Sequence, residues 1–134
     1  MDASQSEQNL RSPQDQESEQ LVPALRQMLT AHSGERQLVL LQDFPDPDAL
    51  SSAWAYQLIA KTYDITCDIL YAGTLSHQEN IALVKLTGLP ARRWTAQTGE
   101  QSDLSKYQGY VLIDNQGATS QLAPLAQTAR LPLV

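Results

Sequence analysis

The chain has 134 residues, 42% of them apolar, and a formal net charge of −6, enough for one modest core of ordinary domain size. Residues 1 to 20 hold five acids (Asp2, Glu7, Asp15, Glu17, Glu19) against Arg11, which leaves only −2 for the remainder and argues against broad electrostatic capture of long nucleic acid. A lone cysteine, Cys67, excludes a disulfide framework and a cysteine-rich zinc site, while the lack of a signal-peptide pattern or of a run near the ~20 apolar residues a bilayer helix needs makes a cytoplasmic, non-membrane protein the default.

Residues 1–18 are rich in Gln, Ser, Glu and Asp with almost no large apolar groups, so they are expected to form a disordered polar tail preceding a domain over 19–134. From about Glu19, the spacing of Leu21, Val22, Leu25, Met28 and Leu29 predicts a helix, with Pro23 in its first turn and Gly34 to end it. His32, near the end of that helix, is given no site role. Gln37–Gln42 reads as a strand, followed by an acidic loop (Asp43, Phe44, Pro45, Asp46, Pro47, Asp48) and a helix over Ala49–Tyr63, where Trp54 shares the apolar spacing of Leu50 and Leu58. Ile65–Ala72 is a second strand that holds Cys67 as a small inert hydrophobe. Ser76–Thr87 is a second helix stopped by Gly88 and Pro90. Arg93–Ala96 and Tyr110–Asp114 are further strands, Ala118–Gln127 a helix, and Arg130–Val134 resembles the start of another strand. Strands with continuous apolar runs alternating with helices indicate an α/β fold, a parallel sheet with helices on both faces.

In such a sheet, ligands gather beyond the carboxyl ends of the strands. Asp46 and Asp48 follow the first strand and Asp114 ends a later one, so the three carboxylates would repel one another at a shared rim unless a cation joined them. Hard divalent cations prefer such oxygen donors, and a pair of them can activate water beside a phosphate. The plainer alternative is that Asp48 caps its helix, the Asp-Pro pairs make turns, and Asp114 forms a turn after its strand. His77, with Asn80 one turn later on the same helix face, is a softer candidate for phosphate or base contact. Arg92 and Arg93 read more simply as a solvated pair.

The stretch VLLQDFPDPDALSSA (Val39–Ala53) resembles the first motif of the DHH phosphoesterases, a strand followed by His-x-x-Pro-Asp-x-Asp-Ala and a helix. YVLIDNQG (Tyr110–Gly117) is similar to the second, a strand ending in a bridging aspartate, and Tyr71–Asn80 looks like a feature of the oligoribonuclease and phosphoadenosine-phosphate phosphatase branch. The resemblance implies that Asp46, Asp48 and Asp114 ligate two Mn2+ (or Mg2+) ions, with His77 and Asn80 near the substrate. It further implies hydrolysis of small nucleotides or short oligonucleotides, and leaves room for a homodimer through regions outside this chain. Two departures stand out: Gln42 occupies the position of the family's opening histidine, and the Asp-His-His motif is expected beyond Val134, which would make this chain alone inactive. The alternatives are a non-catalytic nucleotide-binding or regulatory module with a degenerate metal site, and a pyrophosphatase of the same strand-and-aspartate plan.

Overall fold

The computed structural model describes residues 12–73, 75, 78–94, 104–114 and 121–134, and the chain forms two compact units, Met1–Ser33 and Gly34–Val134. In the first unit, α1 (Pro13–Ala31) begins well before the predicted Glu19. Residues 13–18, expected in a disordered tail, are helical because Ser12 and Asp15 cap each other. The Ser12 hydroxyl oxygen accepts from the Asp15 N–H, and the Asp15 carboxylate accepts from the Ser12 N–H. Pro13, at the first helical position, has its φ preset for a helix. These local terms stand in for the apolar contacts the segment lacks, and Pro23 consequently lies in the helix interior rather than in its first turn. Residues 1–11 lie outside the described part.

The second unit runs β1 (Arg36–Leu40), α2 (Pro47–Lys61), β2 (Thr66–Tyr71), α3 (Gln78–Thr87), β3 (Ala91–Arg93), β4 (Gly109–Leu112) and α4 (Leu122–Thr128). The four strands form one all-parallel sheet in the order β3-β2-β1-β4. Side-chain alternation along β1 assigns the two faces. Gln37 faces α2, where its Oε1 accepts from the Tyr56 hydroxyl at 2.6 Å. Leu38 and Leu40 face the other way, into a buried cluster with Leu70, Tyr107, Tyr110 and the α4 residues Leu122, Ala123 and Ala126. Helices thus cover both faces, as expected, which is why residues 38–41 read as an unbroken apolar run.

Strand β3 falls at Ala91–Arg93 rather than Arg93–Ala96, and the Trp94 N–H extends its pairing by donating to the Tyr71 carbonyl at 2.7 Å. The expected start of α4 at Ala118 lies outside the described residues. The C-terminal segment does lie along β4: the Tyr110 N–H donates to the Pro132 carbonyl, the Val134 N–H donates to the Tyr110 carbonyl, and Leu133 pairs in parallel with Tyr110. Among the described residues, no helix is long and apolar enough to cross a membrane.

Candidate functional site

The strand order contains a change of direction. From β1 the chain moves outward through β2 to β3, then returns to the other side of β1 as β4. The loop after β1 therefore leads to α2 on one face of the sheet, while the loop after β4 leads to α4 on the opposite face. Neighbouring strands whose following loops diverge leave a crevice between their carboxyl ends, the usual ligand position in open parallel sheets.

Both acidic segments border this crevice. In the parallel register Leu40 pairs with Leu112, and the Ile113 N–H adds a bond to the Leu40 carbonyl at 3.2 Å. Two positions beyond that pair come Gln42 on one strand and Asp114 on the other, with Asp46 and Asp48 further along the β1 loop. Asp114 is exposed and has a left-handed backbone, φ 55°, a conformation that aspartate tolerates better than most residues.

Asp46, rather than Asp48, is the N-cap of α2; its Oδ1 accepts from the Ala49 N–H at 2.8 Å. Pro47 fills the first helical position, and Asp48 is exposed in the first turn, where its charge suits the positive end of the helix dipole. The cap takes one oxygen of Asp46, and a carboxylate offers about four acceptor positions.

Three contacts fix the β1 loop. The Gln121 N–H, just before α4, donates to Asp43 Oδ1 at 2.8 Å and so reaches across the crevice. Gly73, after β2, lies so close that a Cβ there would sit 1.8 Å from the Asp43 carbonyl oxygen. The Asn80 side-chain amide, from α3, donates to the Pro45 carbonyl at 3.2 Å. Asn80, expected near a substrate, is in fact buried at 2% exposure, and His77 lies outside the described residues.

Asp43 and Gly73 were missed by sequence reasoning. The signals were present: a third acid heading the Asp46-Asp48 pair, and a glycine just past a strand end, where backbones approach closely.

The donor chemistry at the rim is all oxygen, which suits a hard divalent cation. The geometry falls short of a complete centre, because among the described residues no group of three His, Cys, Asp or Glu side chains is gathered to hold a metal. The α2 helix runs from this rim to the opposite edge of the sheet. There, a hollow of about 280 Å3 is lined by Gln57, Leu58, Lys61, Ile65, Thr66 and Cys67. Burial, then the charge of Asp68, pushes the Cys67 thiol up to about 11, so it is no ready nucleophile and fits its expected role as a small buried hydrophobe.

No family model and no solved structure matches the chain. Over 88 residues it is 33% identical to an uncharacterized protein of Methanocaldococcus jannaschii, a match covering 66% of this chain and 17% of that protein. The chain thus spans less than a fifth of the length of this relative.

Proposed function

We propose that the chain forms the first part of a metal-dependent phosphoesterase of the DHH type, acting on small nucleotides or short oligonucleotides. The observation that carries this reading is the position of Asp46, Asp48 and Asp114 at one crevice, on the adjacent carboxyl ends of β1 and β4. Their order and spacing match the two family motifs described above. In this reading they contribute carboxylates to a manganese or magnesium site whose remaining ligands come from sequence beyond Val134. The greater length of the Methanocaldococcus jannaschii relative is compatible with this.

A second reading has its own support. Gln42 replaces an imidazole with a neutral amide, and the described carboxylates do not converge on one point. Both facts suit a module that keeps the fold and has lost its metal. Manganese titration of the full-length protein, with release of phosphate or mononucleotide as readout, separates the two. Saturable binding with turnover is expected for the phosphoesterase; absence of both would leave the module. Faster turnover of pyrophosphate than of a dinucleotide would instead move the assignment to a pyrophosphatase.

A further inference from the structure

We infer that Asn80 is a positioning residue, which holds the Asp43–Asp46 turn in the form that presents Asp46 and Asp48 at the crevice. Its function as a metal-loop latch rests on the phosphoesterase reading; the latch itself rests only on contacts.

Asn80 lies on α3, outside both acidic segments, yet its Nδ2–H donates to the carbonyl of Pro45, the residue before Asp46. Pro45 is itself fully buried, so this carbonyl is held at an inner wall rather than at the solvent surface. The amide cannot be turned over, because its oxygen would then face the carbonyl oxygen, acceptor against acceptor.

The cost of this arrangement indicates its purpose. Asn80 Oδ1 is buried and has no hydrogen-bond partner. One bond at 3.2 Å set against one orphaned acceptor yields little net stability. An asparagine here serves the turn more than the core. Gly73 acts in the same sense from the same side, since any Cβ would drive the Asp43 carbonyl away. With Gln121 on the other side, the turn is gripped from both flanks of β1, and rigid support of this kind is what a metal-binding or catalytic loop requires.

The test uses nuclear magnetic resonance on the unaltered chain and on Asn80→Ala. In the unaltered chain, the Asn80 side-chain N–H protons should exchange with solvent at least about tenfold more slowly than those of the exposed Gln127. Equal rates would overturn the latch, and this measurement needs no variant to fold. In Asn80→Ala, which leaves the Pro45 carbonyl without its donor, the melting temperature should fall, while exchange of the Ala49 amide quickens by about fivefold more than that of Ala60 at the far end of the same helix, as the Asp46 cap loosens. An unchanged Ala49 rate would overturn the proposal. In the full-length protein, manganese affinity should fall by about fivefold in the same variant, measured at a temperature where both forms are folded, a loss that a purely structural role would not produce. If manganese binds neither form, the phosphoesterase reading falls, and amide exchange still decides the latch.

Discussion

Asp68 accepts three hydrogen bonds at a single carboxylate oxygen: from Arg36 Nε at 3.1 Å, Arg36 Nη2 at 2.8 Å and the Tyr107 hydroxyl at 2.6 Å. Burial alone would raise its pKa, but the Tyr107 and Arg36 hydrogen bonds and the nearby guanidinium charges outweigh it, and the carboxyl titrates below its ordinary value. A depressed folded-state pKa stabilises the fold above the unfolded carboxylate range, and that stabilisation is lost as pH falls through the folded value. Asp68→Asn should therefore cost about 1 kcal/mol near neutrality, a modest figure because Arg36 is partly exposed and solvent screens the pair. The variant should also show a shallower loss of stability below about pH 4 than the parent. Denaturant unfolding at a series of pH values checks this; parallel acid limbs in the two proteins would show that Asp68 is not the group responsible. None of this was legible beforehand. Asp68 stood in the sequence as a polar interruption of an apolar strand, and its partners lie 32 and 39 positions away, which no local pattern encodes.

At the level of elements, the sequence disclosed what is periodic and obscured what depends on caps. The strands at Gln37 and Tyr110 and the helix after the acidic loop were legible because a buried parallel strand requires an apolar run and a helix requires its own spacing. The early start of α1 was hidden behind a polar composition, although Ser12, Pro13 and Asp15 spelled a capping box. The same kind of signal decides α2, where two aspartates precede the helix and only one caps it. Asp46→Ala should cost about 1 kcal/mol, the usual loss for a capping aspartate, whereas Asp48→Ala should cost no more than about 0.5 kcal/mol through the helix dipole. Melting curves of the two variants provide the comparison. Equal losses, or a larger loss at 48, would assign the cap to the wrong residue. The distinction bears on the site, since Asp46 caps the helix while Asp48 is exposed in its first turn.

Across the whole second unit, the parallel register does what no single residue or element does. It brings residues 43–48 and 114 to adjacent strand ends, although some 70 positions of sequence separate them. A shared rim was expected from strand ends in a parallel sheet, but the adjacency of β1 and β4 was not, because the order of strands in a sheet is not written in the spacing of any one of them. Juxtaposition is still not convergence, and the difference can be measured. A ligand present at 100 times its dissociation constant stabilises a native protein by about 2.7 kcal/mol, which for a domain of this size raises the melting temperature by roughly ten degrees or more. Because the described side chains gather no three-residue metal group, millimolar manganese should leave the melting temperature of this 134-residue chain within a degree or two; on the phosphoesterase reading, a longer protein that adds the expected Asp-His-His motif should show a clear rise. A large rise in the chain alone would mean that Asp46, Asp48 and Asp114 close around a cation unaided, and that the groups expected beyond Val134 serve the substrate rather than the metal.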